Sequence, residues 1–483
     1  MIRENPTPAE GETGNPFVVY TLRILAIMSP LFLVMSILAL EMDGSTKLFL
    51  SFFVPFLICL LSALPYRLSL EGGPEMDLKT ALIFSAFVWL VLSVIGAVPY
   101  WISGTYSILD GWFESMSGFT ATGLTMATRP EELPRSILLW RSMTEWIGGV
   151  GVIVLFLALM TRTSKVLQHL YVAEARTDKI VPSIVGTAKR IWTIYVMYTI
   201  LATLVYWILG MRLFDSVNHA MTTLATGGFS TSSASFAPYG TAIRIAGVVF
   251  MYIGAISFAS HYHLFKGRLK GFFTVEVRAL ILAGVVATLL AITVGPVDAL
   301  FQSVSALTGT GFSTADIASW SDYHKMILTI LMIFGGGYGS TSSALKMIRV
   351  LILLYGILWY VRVRQHPSRM IIPFRFGGRN YEPSEVRDVA IFVTSYILVL
   401  MLGALAFMAA GYDAMDSLFE VASAEGNVGL SVGITGPALS PPLKLVLILE
   451  MWAGRLEIFP VLMMLREIPS LFKRFRRGPV AAP

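Results

Sequence analysis

The chain has 483 residues, of which 55% are hydrophobic and 14% charged, with a formal net charge of +6 and a mean hydropathy of +0.71. A soluble domain carries about 25% charged residues, so a soluble enzyme, a nucleic-acid binder and a secreted disulfide scaffold are all excluded. The composition is that of an all-α integral membrane protein; the single cysteine, Cys59, lies in an apolar run and precludes an intrachain disulfide.

Met1 to Asn15 is polar and holds more acids than bases, unlike a cleavable signal peptide. A spanning helix needs about 20 mainly apolar residues. Such runs fall near 17–40, 47–68, 79–103, 136–160, 191–213, 240–265, 275–297, 324–361, 386–411 and 441–465. Shorter semi-apolar pieces lie near 110–125, 215–230, 298–313 and 416–431. The stretches 161–190, 266–278, 362–387 and 466–477 hold 21 of the 36 lysines and arginines. Basic loops face the cytoplasm, which puts the four semi-apolar pieces on the opposite side. The surplus of +6 then reports topology. The closing run Lys473, Arg474, Arg476 and Arg477 suits orientation and lipid headgroups.

The four short pieces align on one glycine as DGWFESMSGFTATGLT, DSVNHAMTTLATGGFS, DALFQSVSALTGTGFS and DSLFEVASAEGNVGLS. Each starts with Asp (Asp110, Asp215, Asp298, Asp416) and reaches glycine thirteen positions on (Gly123, Gly228, Gly311, Gly429). Nine residues before the glycine the side chain is polar (Glu114, His219, Gln302, Glu420), and six before it is a hydroxyl (Ser117, Thr222, Ser305, Ser423). Only eleven Asp occur in the chain, so four at one offset mark an internal repeat. The sequence predicts two leading helices followed by four copies of helix, re-entrant segment, helix.

Asp is a favoured N-cap, so Asp110, Asp215, Asp298 and Asp416 are predicted to start short helices. About ten helical residues extend some 15 Å, half the hydrocarbon thickness. Each short helix would then stop near the membrane centre with the negative end of its dipole facing inward. The glycine that follows can adopt φ > 0, and four such loops around an axis would form a ring of backbone carbonyls able to replace a potassium ion's hydration shell.

The loops TATGLT, ATGGFS, TGTGFS and GNVGLS, carried on four tandem helix–pore–helix copies, resemble the Trk/Ktr/HKT superfamily of potassium transporters. The two leading helices make the chain most similar to the bacterial TrkH branch. That resemblance implies two leading helices (17–78) and pore repeats at 79–165, 190–266, 274–362 and 385–468, arranged pseudo-fourfold around one ion pore. It implies cytoplasmic tails at 1–16 and 469–483. The implied potassium filter is Thr120, Ala121, Thr122 and Gly123; Ala225, Thr226, Gly227 and Gly228; Thr308, Gly309, Thr310 and Gly311; and Gly426, Asn427, Val428 and Gly429. Glycine at 123, where sodium-favouring members carry serine, implies potassium selectivity, and the fourth loop departs most by lacking a hydroxyl. Further implications are a homodimer in the bacterial inner membrane and a TrkA-type cytoplasmic regulatory ring, on which any nucleotide would sit. The basic stretch 362–387 is the candidate docking surface, with a plain orienting loop as the alternative.

The run His324–Val361 would reach about 57 Å as one helix, too long for a straight span. It is interrupted by Gly335, Gly336, Gly337, Tyr338, Gly339, Ser340, Thr341, Ser342 and Ser343. Non-helical backbone at that depth must be covered by protein or border a cavity, so the break is either a kink or a gate below the filter. The resemblance implies a gating loop here. Lys346 is a candidate member of it. For Arg455, between Glu450 and Glu457, the resemblance implies a position facing the pore below the filter, with a buried ion pair as the alternative. Glu145 is expected to brace the first short helix. His261 and His263 lack acid or cysteine neighbours, so no transition-metal site is expected. Two other classes fit poorly. A coupled carrier of organic solutes favours inverted repeats, whereas these share one orientation, and neither HExxH nor a Walker motif marks an enzyme. Coupling of potassium to protons or sodium is left open.

Overall fold

At membrane depth the backbone must satisfy its own polar groups, and helices do so segment by segment. The computed structural model describes residues 15–63, 75–151, 180–367 and 372–476, with isolated positions in 152–179 and Met370. Most of the predicted tail 1–16, most of the loop 161–190 and the end of the tail 469–483 lie outside the described residues. Among the described residues the regular elements are helices apart from an antiparallel ribbon, β1 (Phe374–Phe376) and β2 (Arg379–Tyr381).

Helices α1 (Pro16–Asp43) and α2 (Thr46–Ala63) lead the chain, joined through Gly44 at φ +62°. Copy 1 follows as α3 (Leu78–Ser103), the short α4 (Ile108–Thr120) and α5 (Arg135–Val150). Copy 2 is α6 (Ile184–Ile208), the short α7 (Leu213–Ala225) and α8 (Thr241–Ala255), trailed by α9 (Phe258–Phe265). Copy 3 is α10 (Val275–Leu290), the short α11 (Pro296–Thr308) and α12 (Asp322–Phe334), trailed by α13 (Met347–Arg364). Copy 4 is α14 (Pro383–Ala409), the short α15 (Ala414–Glu425) and α16 (Pro441–Arg455), trailed by α17 (Phe459–Arg476). By length and apolarity, α1, α3, α6 and α14 could each cross a membrane alone.

The predicted spans 240–265 and 441–465 are not continuous helices. Helices α8 and α9 meet at a bend of 103°, and α16 ends at Arg455, where Glu457 and Ile458 take positive φ. The predicted span 136–160 likewise leaves its helix at Gly151, φ +104°. The closing helix of every copy therefore ends after 16, 15, 13 or 15 residues, and the break expected only in copy 3 recurs in all of them. Counted from each helix start, the fourteenth position is a glycine in all copies: Gly148, Gly254 and Gly454 within their helices, and Gly335 as the cap just past α12. A Cβ there would lie 1.8 Å from Phe119 O, 3.0 Å from Leu224 O or 1.8 Å from Glu425 O in copies 1, 2 and 4. These helices thus run backbone-to-backbone against the end of their own short helix, and the chain turns away just beyond.

Asp110, Asp215, Asp298 and Asp416 are not N-caps. The cap positions are Ser107, Arg212, Gly295 and Asp413, and each predicted aspartate is the third helical residue. The helices start earlier because Ser107 and Asp413 supply side-chain caps in two copies and Pro296 occupies the first helical position in a third. The first turn still places each carboxylate at the positive end of the dipole. There it meets the preceding copy: Arg244 of α8 lies 3.3 Å from Asp298, Lys325 of α12 2.7 Å from Asp416, and Lys444 of α16 2.5 Å from Asp110. Each base is the fourth residue of its helix; in α5 that position is Leu138, and Asp215 instead accepts from Thr231 at 2.8 Å.

Removing one partner of a well-buried pair costs about 3–5 kcal/mol, and a half-exposed aspartate lowers that figure. Lys325→Met should therefore reduce stability by about 2 kcal/mol, and Asp416→Asn added to it should restore part of the loss. A double-mutant cycle on thermal unfolding in detergent measures this coupling; a value near zero would mean the pair does not hold the seam.

Candidate functional site

The loop leaving each short helix passes through two left-handed residues. The first is Ala121 (φ +53°), Thr226 (+53°), Gly309 (+70°) or Asn427 (+51°), and the second is Gly123 (+89°), Gly228 (+85°), Gly311 (+82°) or Gly429 (+98°). Left-handed backbone costs a residue with a Cβ roughly 1–2 kcal/mol, so three of the first positions carry strain that the surrounding packing must hold. At the second position space also excludes a side chain. A Cβ on Gly123 would stand 2.1 Å from Gly227 O, on Gly228 2.2 Å from Thr310 O, on Gly311 1.8 Å from Val428 O, and on Gly429 2.3 Å from Thr122 O. These contacts pass from copy 1 to 2, 2 to 3, 3 to 4 and back to 1. The four loops therefore stand in a closed ring, each glycine against the carbonyl that precedes its neighbour's glycine.

Side-chain hydroxyls and amides add links within and across the loops. The hydroxyls of Thr120 and Thr122 lie 2.7 Å apart, as do those of Thr308 and Thr310. The fourth loop, predicted to stand apart for want of a hydroxyl, sends Asn427 Nδ2 to Thr122 Oγ1 at 2.9 Å and to Met451 O at 2.8 Å. Ala225 and Gly426 lie at or just past the ends of their short helices, buried beside the ring.

The repeat's polar positions bond to one another in every copy. Glu114 accepts from Thr125 Oγ1 (2.8 Å) and Met126 N (2.7 Å), and Glu420 from Ser431 Oγ (2.7 Å) and Val432 N (3.1 Å). His219 Nε2 lies 2.9 Å from Ser230 Oγ, and the Gln302 amide 2.8 Å from Ser313 Oγ. In each case the partner is eleven residues on, so the short helix holds the strand that returns past it. The hydroxyl six before the glycine accepts from the glycine N–H in copies 1 and 4, at 3.1 and 3.0 Å. In copy 3 Ser305 donates to Phe312 O at 2.7 Å, while Thr222 bonds within its own helix.

Residues 335–346 form a buried loop beside this ring. Gly335, Gly339, Ala344 and Lys346 have positive φ. Thr341 Oγ1 donates to Leu224 O and Gly254 O, both at 2.9 Å, and Ser342 Oγ lies 3.0 Å from where a Cβ on Gly309 would be. Gly336 N donates to Ser342 Oγ at 2.9 Å, Gly337 N to Ala255 O at 2.8 Å and Ser340 Oγ to Gly337 O at 2.6 Å. Arg455 spans the centre: Nη1 donates to Thr341 O (2.9 Å) and Ser343 Oγ (3.1 Å), and Nη2 to Gly148 O (2.5 Å) and Gly149 O (2.7 Å). At the same count from the helix start the other copies carry the small residues Gly149, Ala255 and, in the loop past α12, Gly336. A cavity of about 40 Å³ remains between Arg455, Lys346, Ser340 and Ser342–Ala344, enough for a few waters. Lys346 Nζ bonds Ser342 O, and Arg349 pairs with Glu457 at 2.5 Å.

Sequence reasoning missed Glu276 and misplaced Glu145. Glu276 Oε1 accepts from Tyr338 N (2.8 Å) and Ile348 N (3.1 Å), tying the loop to the first turn of α13; its signal was being the one acid in the basic stretch 266–278. Glu145 does not brace the first short helix. It accepts from Phe229 N, just past the second ring glycine, at 3.2 and 3.1 Å. His261 bonds Tyr198 and Ile253 O, a structural role.

A ring of buried backbone carbonyls within tandem helical copies is the architecture of a membrane transport protein, not of an enzyme. The family described as cation transport protein, TrkH, matches residues 45–276 and 285–473, and the chain belongs to that family. It is 37% identical over 377 residues to an uncharacterized cation transporter of Methanocaldococcus jannaschii, covering 77% of this chain and 78% of the relative. With the Trk system potassium uptake protein TrkH of Escherichia coli it shares 32% identity over 382 residues, covering 74% and 78%. The crystal structure of the potassium transporter TrkH from Vibrio parahaemolyticus superposes with a TM-score of 0.82 at 31% identity, covering 93% of this chain and 98% of that one.

The two left-handed positions should respond oppositely to substitution. Gly311→Ala must displace backbone and should cost about 3 kcal/mol or prevent folding, whereas Ala121→Gly relieves strain and should gain up to about 1 kcal/mol. Thermal unfolding in detergent separates the two; equal midpoints would mean that the ring is not closed by backbone contact.

Proposed function

We propose that this chain conducts potassium ions into a bacterial cell across the cytoplasmic membrane, with the four loops as its selectivity filter and the ion pathway running along the axis of the copies. The observation that carries this reading is the closed ring in which each glycine abuts a neighbour's carbonyl. Such carbonyls can replace a potassium ion's hydration shell, and the short helices direct their negative ends toward it. The relatives named as potassium uptake proteins support the choice of ion.

In this reading residues 335–346 are the gate, held shut by Glu276 and Arg455, and the Arg455 guanidinium opposes cations electrostatically below the filter. Opening breaks the hydrogen bonds from Arg455 and Thr341 and swings the loop out of the pathway. The basic stretches face the cytoplasm, and ion flux follows the electrochemical gradient. A TrkA-type nucleotide-binding ring docks on 362–387, where the ribbon β1–β2 presents Arg379 to solvent, and the chain works as a homodimer. The dock is supported by the anchoring of the ribbon on α13, where Phe374 packs on Tyr355 and Trp359. That anchorage carries the position of the ribbon straight into the helix that follows the gate.

Flux from liposomes under opposed K⁺ and Na⁺ gradients tests the proposal. A serine Cβ at position 123 would press on Gly227 O, so Gly123→Ser should lower the K⁺/Na⁺ permeability ratio by roughly tenfold, about 1.4 kcal/mol. Shortening 335–343 should raise basal flux. Cation flux indifferent to both changes would overturn the reading. Replacing Phe374–Tyr381 by a short glycine linker should abolish binding of the regulatory ring in a pull-down while sparing assembly; undiminished binding would place the dock elsewhere.

A further inference from the structure

We infer that Glu145 and Gly227 are a matched pair that sets the second quadrant of the ring, with Glu145 the positioning residue for the Gly227 carbonyl; the inference deepens the transport reading and rests on it. Glu145 is fully buried in α5 of copy 1. A Cβ on Gly227 would lie 2.4 Å from Glu145 Cδ and 2.5 Å from Oε2, so the carboxylate occupies the space a side chain at 227 would need. Both its oxygens accept from Phe229 N. It therefore backs the loop from outside, while the Gly227 carbonyl on the inside faces Gly123.

The other copies solve the same contact differently. Glu145 is the eleventh residue of its helix, and its counterparts are Met251, Met332 and Met451. The residue before the ring glycine is Gly227 in copy 2 but Thr310, Val428 and Thr122 elsewhere. Copy 1 sets Glu145 against the loop of copy 2, copy 3 sets Met332 O against the loop of copy 4, and in copy 4 the link to copy 1 runs from Met451 O through Asn427. Asn427 Nδ2 reaches both Met451 O and Thr122 Oγ1, and a Cβ on Gly426 would lie 2.8 Å from Met332 O. By position, three quadrants thus carry methionine with a residue bearing a side chain before the ring glycine, and one carries glutamate with glycine.

The same quadrant lacks the base that ties the other copies together, having Leu138 in its place. A second grip from α5 compensates. Arg141 lies 4.2 Å above the Phe229 ring and donates to Ser230 O at 3.0 Å, so Arg141 and Glu145 hold consecutive residues past the ring glycine, one by its ring and carbonyl and one by its N–H. Arg141 itself is fixed by Glu114 at 2.7 Å.

The full chain in liposomes tests the pair through permeability ratio and thermal midpoint together. Glu145→Ala should lower the K⁺/Na⁺ ratio about fivefold while K⁺ flux persists, and Glu145→Gln, which keeps an acceptor oxygen, should recover most of that loss. A merely structural role would lower midpoint and total flux and leave the ratio alone. Gly227→Thr alone should lower the midpoint sharply, and Glu145→Met/Gly227→Thr, which copies the other quadrants, should restore it. An unchanged ratio in Glu145→Ala, or no rescue by the double substitution, overturns the inference. A wild-type chain without K⁺ preference would instead overturn the transport reading, and the rescue of the midpoint would still decide the pair.

Discussion

Between each ring glycine and the carbonyl of the next copy there is no room for a carbon atom. A Cβ at any of the four positions would lie 1.8–2.3 Å from a neighbouring backbone oxygen, and no side-chain rearrangement relieves a clash with backbone. Much of the architecture serves to keep four backbones this close. The short helices deliver the chain to the ring, the polar residue eleven positions earlier holds each returning strand, and Gly148, Gly254 and Gly454 let the closing helices of copies 1, 2 and 4 lie directly on the loop's point of origin. Strain accepted at Ala121, Thr226 and Asn427 is the local cost of the same arrangement.

The seams between copies are alike in place but not in chemistry. Three are tied at the periphery by an ion pair in the first turn of the short helix, where an aspartate already interacts well with the helix dipole. The fourth is tied deeper by Arg141 and Glu145. A buried charge is tolerable only when hydrogen-bonded throughout, and Arg141 meets that demand with Glu114, Ser230 O and Thr125 Oγ1 at 2.7, 3.0 and 3.0 Å. The fourfold pattern is thus a scaffold on which one quadrant has been rebuilt in polar form.

Much of this was legible because polar residues are rare in the chain. Asp, a polar residue, a hydroxyl and glycine at fixed offsets stand out against an apolar background, and their spacing carries the repeat, the short helices and the ring. The fourteenth glycines are as regular, yet no polar neighbour marks Gly148 or Gly254. The break after Ala255 was invisible because apolar residues continue through Ile256 into α9, and hydropathy does not register a turn. The aspartates were read as caps because the cap and the first turn favour the same residue. Arg244, Lys325 and Lys444 were lost in a count that treats basic residues as markers of one membrane face. Glu145 was recognised as important but could not be placed, since its partner lies 84 residues away.

The recurring break has a consequence for the loop beside the ring. All four closing helices already end within 13 to 16 residues, and copy 3 carries twelve residues between Phe334 and Met347, where copies 2 and 4 make do with two or three. Lengthening that connection interrupts no helical hydrogen bond and shifts no helix against its neighbours. The segment behaves as a cassette seated at a pre-existing joint, so its length and sequence can diverge, or be exchanged, while the ring above it keeps its register.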